Sequence, residues 1–368
     1  MAKSGTGQAG MRVALVSTPF VSTPPDGYGG TELVVAELAL ALAARGVEVV
    51  VYATGDSALE APAGSVGSIQ VRSYFSKPEW PPEPGVDRIH STWCLRDIAR
   101  DPRGFDVVHL HTTGALEMAR LCPYPLLYTI HHEAEPALTA IYRHAPHVKL
   151  VAISRRQAAL EPALVSTVVH HGLDPARFPS LPEQGYLLFL GRYSRVKGCV
   201  EAIETAVRAG LPLVMAGEAH DVDYYQAQVL PLIRKHGVME VGPVSGPAKQ
   251  ALIARARALI FPIQWEEPFG LVMIEAMLSG VPVIASDRGS VGEVVEDGVT
   301  GAVCAGQTEM VAAARIATSL FDRAKIRARA QARWSSARMA ADYLRLYEEL
   351  RTTRLRLVDQ DSGSLAEG

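Results

Sequence analysis

Cysteine is scarce. Cys94, Cys122, Cys199 and Cys304 stand singly in 368 residues, with no CxxC pair. That spacing gives neither a disulfide framework nor a cysteine-based zinc site and fits a reducing compartment, so a cytoplasmic setting is expected. Long apolar runs are missing as well. The nearest, LVVAELALALAA from Leu33 to Ala44, contains Glu37 and falls short of the ~18 to 20 residues that span a bilayer. Neither sign of charge prevails: 36 Lys and Arg face 39 Asp and Glu, for a formal charge of −3, so no nucleic-acid partner is expected. The opening MAKSGTGQAG lacks an apolar signal core and, like the closing DQDSGSLAEG, is expected to be loose.

What the chain does have is 48% apolar and 20% charged residues, an ordinary globular balance at a length that supports two sizeable cores. Short β-branched runs alternate with longer helical patterns. RVALVS (Arg12 to Ser17), VEVVVYA (Val47 to Ala53), DVVHL (Asp106 to Leu110), PLLYTI (Pro125 to Ile130) and VKLVAIS (Val148 to Ser154) form a first series. After GLDPARFPSLPEQG (Gly172 to Gly185) a second begins, with YLLFLG, LPLVMAG, VMEVG, ALIFP and VPVIAS. Near-continuous apolar strands separated by helices predict parallel sheets covered on both faces, hence an α/β chain of two doubly wound, Rossmann-like domains. Ligands bind at the carboxyl ends of such strands, so the site is expected in a cleft between the domains, which the Gly172–Gly185 linker could close by a hinge. From Pro78 to Arg103 the pattern breaks into KPEWPPEPG and polar residues, which reads as a poorly ordered insertion or a functional loop at the cleft. The arginine-rich stretch from Arg315 to Arg356 reads as a solvated helical face, with a weak contact to an anionic membrane surface as the alternative.

Four groups of residues carry chemistry. In YGGTE, Gly29 and Gly30 precede a helix beginning near Thr31, where bare backbone amides and the helix N-terminus suit an anion. The loop has the wrong spacing for GxGxxG, which argues against a nicotinamide enzyme. In YLLFLGRYSRVKG, Arg192 and Lys197 lie just beyond a strand end, an arginine fork and a lysine point charge that suit a diphosphate. In EEPFGLVMIEAM, Glu267 and Glu275 stand with seven residues between them, one at the mouth of a helix and one within it. Histidines pair in HLH (His109, His111) and twice in HH (His131, His132; His170, His171). Residues two apart on a strand share a face, so HLH also allows a metal-dependent hydrolase.

YGGTE, LLFLGRYSRVKGCVEAIETA, LIFPIQWEEPFGLVMIEAMLSGVPVIAS and GSVGEVVEDGVTGAVC, spread between Met11 and Cys304, resemble the family 4 retaining glycosyltransferases of GT-B architecture. The resemblance implies an acceptor-binding domain over residues 11–175, a nucleotide-sugar donor domain over 185–335 and a helix over 336–358 that crosses back to the first domain. It implies that Glu275 binds the nucleotide ribose and Glu267 the hydroxyls of the donor sugar. Phe269, Gly270, Leu271 and Val272 lie at the helix start, where free amides meet sugar or diphosphate. His131 is carried over as the histidine that reaches the donor sugar, with His132 in its place if the loop register shifts. Val241, in VGPVSG, presents backbone to the nucleobase. Arg192, Lys197 and the Gly30 amide stabilise the departing diphosphate. His171 stands where many members have asparagine; it and His170 are expected to be satisfied polar residues near the hinge.

The implied activity is transfer of a sugar from a nucleotide-diphosphate sugar, UDP first and GDP next, to a hydroxyl on a small-molecule, glycan or lipid-linked acceptor. Retention in this family needs no metal, so no cofactor is expected, and Glu267, His131, Arg192 and Lys197 are the catalytic candidates. Tyr74, Trp80 and Trp93 could wall the acceptor site or simply pack. A nucleotide-sugar epimerase of the same fold is the competing activity.

Overall fold

The computed structural model describes residues 10–165 and 167–364. Residues 1–9 of the opening segment and 365–368 of the closing one lie outside the described residues. Strands β1 (Arg12–Val16), β2 (Glu48–Tyr52), β3 (Ser68–Arg72), β4 (Val107–Leu110), β5 (Leu126–Thr129), β6 (Lys149–Ala152) and β7 (Thr167–Val168) form one sheet, ordered β3-β2-β1-β4-β5-β6-β7. Strands β8 (Leu187–Leu190), β9 (Leu213–Ala216), β10 (Met239–Glu240), β11 (Ala258–Phe261), β12 (Val283–Ser286) and β13 (Gly301–Cys304) form a second, ordered β10-β9-β8-β11-β12-β13. Every pairing is parallel. Both sheets are doubly wound, and the strand order reverses between β1 and β4 in one and between β8 and β11 in the other. Loops leaving those four strands therefore open onto the ligand crevice of each sheet. The fold is the α/β architecture of two Rossmann-like domains.

The segment Pro78–Arg103 is a loop mainly at its start: residues 78–83 have no regular structure, whereas Pro84–Arg100 form a helix. Its inward face is Asp87, His90, Ser91, Cys94, Leu95 and Ile98, a helical spacing half of whose members are polar. Asp87 accepts from the Gly114 amide at 2.8 Å and from Thr112 Oγ1, and His90 Nε2 lies 3.2 Å from the Ser17 carbonyl. These bonds dock the helix on the loops after β1 and β4.

The chain crosses between domains at two adjacent places. Leu173 N–H donates to the Trp334 carbonyl and Ser336 N–H donates to the Leu173 carbonyl, each at 2.9 Å. Trp334 packs in the core of the second domain, whereas Met339, Ala340, Tyr343 and Tyr347 pack in the core of the first. The helix Ser336–Ser364 thus lies on the first domain, and its backbone stays helical through most of the closing stretch expected to be loose. Its anchor is polar: Tyr347 OH and Thr129 Oγ1 each lie 2.7 Å from a ring nitrogen of His109, and Tyr343 OH meets Thr129 Oγ1 at 2.7 Å.

The arginine-rich stretch is a solvated face only in part: Arg329 and Arg345 are exposed (54% and 70%), whereas others reach inward. Arg323 donates to the Ala254 and Ala256 carbonyls, Arg327 to those of Phe178 and Leu278, and Arg333 to that of Glu293. Arg338 caps His170 and His171 at 2.8 and 2.7 Å. Carbonyls left open at or just after helix C-termini take up the guanidinium groups of Arg323, Arg327 and Arg333. No helix among the described residues is long and apolar enough to cross a membrane.

Candidate functional site

In the second domain the loops after β8 and β11 press together. Gly198 has φ +75°, and a Cβ there would stand 2.0 Å from the Pro262 carbonyl oxygen, so only glycine lets the lysine loop approach this closely. The approach brings Lys197 Nζ to 2.5 Å from Glu267 Oε2. Trp265 Nε1–H donates to the same oxygen at 3.0 Å, and the ammonium lies 4.8 Å from the Trp265 ring centroid. Glu267 is 8% exposed; a carboxylate that buried requires such partners. Ser290 supports the loop behind it, donating from its amide to the Glu267 carbonyl and from its hydroxyl to the Phe269 carbonyl.

Gly270 then opens the helix Leu271–Leu278, which has no side-chain cap. Its first-turn amides, on Leu271 and Val272, are left for a ligand. One turn further, Glu275 is 4% exposed, and Lys249 Nζ donates to its Oε1 at 2.7 Å. The two glutamates are therefore not a pair: each is held by its own lysine, on either side of the helix mouth. Sequence reasoning found Lys197 and missed Lys249, although VSGPAK places it one helix turn past the VGPVSG loop.

Arg192 sits at the edge of the constellation. Its Nη1 lies 3.5 Å from His220 Nε2, its Nε is buried without a partner among the described residues, and its guanidinium is 5.5 Å from the Tyr28 ring centroid. Val241 stands apart. Its amide donates to the Met215 carbonyl at 3.0 Å, on the sheet edge two strands from β8.

The first domain supplies the facing wall. Gly29 caps the helix Gly30–Ala43, and a Cβ on Gly30 would lie 3.6 Å from Leu271 Cδ1. Together with the Tyr28–Arg192 contact, this sets the two glycines directly against the helix mouth of the other domain. Beneath them Glu32 is buried and accepts from Thr18 Oγ1; burial raises its pKa against that bond.

Just past the ends of β4 and β5 the histidines form a row. His111 Nδ1 is 2.9 Å from His131 Nε2, and the His131 ring stacks on His171 with centroids 5.4 Å apart. His171 in turn meets Phe269 edge-on at 5.0 Å. Burial pushes all three imidazoles well below their ordinary pKa, and neighbouring histidines push them further; for His171, Arg338 adds to the effect. His171, expected to be a satisfied polar residue, instead has its Nδ1 buried without a partner among the described residues, and its ring links His131 to Phe269 on the loop after β11. His132 contributes its carbonyl, which accepts from Gln157 Nε2 at 2.8 Å. The HLH pair does not present two free ligands, because both nitrogens of His109 are occupied by Tyr347 and Thr129. Among the described residues no group of three or more His, Cys, Asp and Glu converges as a metal site would require.

Tyr74 and Trp93 lie 5.9 Å apart, and Trp93 packs against Tyr52, whereas Trp80 is 70% exposed and stacks on no ring among the described residues. They do not form one wall.

A second device escaped the sequence reading. Glu293 accepts from the Arg155 amide at 2.8 Å and the Arg156 amide at 3.4 Å, and is bonded to His170. Arg156 also pairs with Glu266 at 2.7 Å. These are bonds between domains, formed beside the hinge.

Comparison with known proteins agrees with the geometry. Residues 28–178 match the profile described as Glycosyltransferase Family 4, and residues 174–335 match Glycosyl transferases group 1. A glycogen synthase of Mycobacterium tuberculosis is 30% identical over 90% of this chain and 91% of its own length. The chain belongs to the family 4 glycosyltransferases of GT-B fold. It is a glycosyltransferase of the hexosyltransferase type. Among solved structures, AviGT4, a glycosyltransferase involved in avilamycin A biosynthesis, is 28% identical with a TM-score of 0.74, covering 93% of this chain and 98% of its own. The Anabaena protein HepE, solved with UDP and glucose, shares the fold at 18% identity and a TM-score of 0.67, covering 92% of this chain and all of its own (100%).

Proposed function

We propose that this glycosyltransferase is a retaining enzyme that takes a sugar from a nucleotide-diphosphate donor, UDP-linked by preference and GDP-linked next, and transfers it to a hydroxyl acceptor without a metal. One observation carries the reading. Lys197 and Glu267 meet at 2.5 Å beside the uncapped start of the helix Leu271–Leu278, and the Gly29–Gly30 helix start faces them from the other domain. Two helix N-termini, one lysine and Arg192 supply at this point the positive field that a departing diphosphate needs. Glu275, beyond the mouth, suits the paired hydroxyls of a ribose.

In the front-face course, the acceptor oxygen bonds to the anomeric carbon on the face from which the diphosphate leaves. The bond from that carbon to the phosphate oxygen breaks, and the acceptor's proton passes to the leaving phosphate. The protein orients the partners and stabilises the leaving charge. The four free cysteines fit the cytoplasm. The acceptor, whether a small molecule, a glycan or a lipid-linked sugar, binds on the side of the first domain.

The test is a melting-shift panel of nucleotides with parent, Lys197→Ala and Glu275→Ala proteins. A nucleotide at about 100 times its Kd adds about 2.7 kcal/mol of apparent stability. UDP or GDP should stabilise the parent and neither variant, and sugar transfer should persist in chelator. Absence of any nucleotide shift in the parent, or loss of transfer on chelation, sinks the proposal.

A further inference from the structure

We infer that His111 is a positioning residue that locks His131 in its Nδ1–H tautomer, so that His131 offers the donor an N–H and not a lone pair. The assignment of the ligand as a nucleotide sugar rests on the function proposed above; the tautomer rests on the hydrogen-bond geometry of two neutral rings.

His111 follows β4 directly, its amide donating to the Val16 carbonyl at 2.9 Å. Its ring is 1% exposed. Nδ1 lies 2.9 Å from His131 Nε2, whereas its own Nε2 is buried with no partner among the described residues. A neutral imidazole carries one N–H and one lone pair. If His131 Nε2–H donated to His111, the proton of His111 would have to sit on Nε2, as a buried N–H with nothing to accept it. If instead His111 Nδ1–H donates to His131, what stays unfilled on Nε2 is a lone pair. Orphaned buried donors are rarer in folded proteins than under-used acceptors, so the second arrangement holds.

A cation on either ring is opposed from several sides. The His109 ring lies 4.0 Å from that of His111, His171 stacks on His131, His132 follows it in the chain, and Arg338 bonds the backbone beside His171. Burial and these neighbours keep both imidazoles neutral at pH 7.

The proton of His131 then belongs on Nδ1. That nitrogen has no partner among the described residues and, unlike His111 Nε2, is not buried, in a residue that is itself only half-buried at the carboxyl end of β5. His131 therefore donates to a hydroxyl or phosphate oxygen of the donor. It cannot at the same time take the acceptor's proton, which leaves the departing diphosphate as the base. His171, nearly parallel to His131 at 18° and edge-on to Phe269, holds the ring plane in register with the donor loop.

The experiment is a long-range ¹H–¹⁵N correlation of histidine rings at pH 7 on the full chain, with His131 assigned by its loss in His131→Asn. The expected spectrum shows His131 and His111 as Nδ1–H tautomers. A His131 protonated at Nε2, or doubly protonated, overturns the inference. Two further variants separate positioning from packing. In His111→Asp an ionised carboxylate can only accept, so a proton should move onto His131 Nε2 and kcat/KM should fall about 100-fold, the scale of a misplaced contact. In His111→Asn the amide N–H can still donate, so the tautomer should stay and the loss should be clearly smaller. Equal losses in both variants with an unmoved tautomer would mean that His111 only fills space. Free UDP, which lacks the sugar, should still shift the melting of both. Because the spectrum needs no ligand, its outcome is independent of the nucleotide panel that tests the function.

Discussion

Glu275 is buried and Lys249 only partly so, and the 2.7 Å bond between them is what makes the burial of the carboxylate tolerable. Removing one partner of such a pair leaves the other desolvated and uncompensated, whereas replacing both by neutral groups of similar shape costs far less. Lys249→Met should therefore lower unfolding stability by about 2 kcal/mol, less than the ~3 to 5 kcal/mol of a fully buried pair because the Lys249 side chain is 27% exposed. The double variant Lys249→Met with Glu275→Gln should recover most of that loss while remaining blind to nucleotide. Denaturant midpoints of the parent, the two single variants and the double variant measure the coupling. Additive losses would show that the lysine does not hold the glutamate. Glu267 differs because Trp265 shares its oxygen with Lys197, so Lys197→Met should cost less stability than Lys249→Met even though it removes more of the field at the helix mouth.

At the scale of helices and strands, several docking contacts depend on neutral imidazoles. His90 fixes the helix Pro84–Arg100 to the loop after β1, and His109 fixes the crossing helix to β4. Burial lowers His90 to about 4 and His171 to about 3, and it also pushes His109, His111 and His131 down. Each folded pKa lies below the unfolded value of about 6.5, so the unfolded chain binds more protons in the interval between them. Stability should thus be full above pH 6.5 and fall as pH drops toward 4, by up to about 1.4 kcal/mol per pH unit for each histidine. Glu32 and Glu37, raised by burial, act in the opposite direction but are outnumbered. Urea denaturation from pH 7.5 to 5 should show the decline, and a flat profile would contradict it. The same elements show what the sequence made legible. Ten strands were readable, nine of them because their apolar runs are largely buried on both faces; β10, two exposed residues, was legible only through the flanking valines of VMEVG. The edge strand β3 is half-exposed SIQVR, β7 is two residues long and β13 is GAVC, and none of these carries a pattern. The helix Pro84–Arg100 was hidden because Asp87, His90 and Ser91 occupy inward positions that periodicity reserves for apolar residues. In the site, Glu267, Glu275 and Lys197 were found from local spacing. Lys249 and Glu293 act on partners 26 and 138 residues away, a relation only the folded chain reveals.

Across the whole molecule, the two domains meet on both sides of the cleft, and the contacts differ in kind. At the mouth they are light: the Gly30–Leu271 approach and the Tyr28–Arg192 stack. At the back, the crossings at Gly172 and Ser335 lie so close that a Cβ on Gly172 would stand 2.2 Å from the Ser335 carbonyl oxygen, which makes this line a natural axis for rotation. Glu293 holds the domains just in front of that axis. Burial alone would raise its pKa, but His170 and the amides of Arg155 and Arg156 bring it below the ordinary carboxylate range, so it is ionised at neutral pH. Glu293→Gln keeps the shape and removes the charge, weakening three bonds between domains at once without touching a donor-site residue. A loss of about 1.4 kcal/mol from the closed arrangement would reduce its ratio to the open one tenfold, and the apparent donor Kd rises as the competent fraction falls. The variant should therefore show a larger radius of gyration in solution scattering than the parent, return toward the parent value when saturated with nucleotide, and bind that nucleotide more weakly. Because Glu293 is only about an eighth exposed at its side chain (12%), whereas Arg156 and Glu266 are nearly half exposed (49% and 46%), 0.5 M salt should loosen the Arg156–Glu266 pair and leave the parent compact. A parent that expands in salt as far as the variant does in dilute buffer would place the latch at Arg156–Glu266 and not at Glu293.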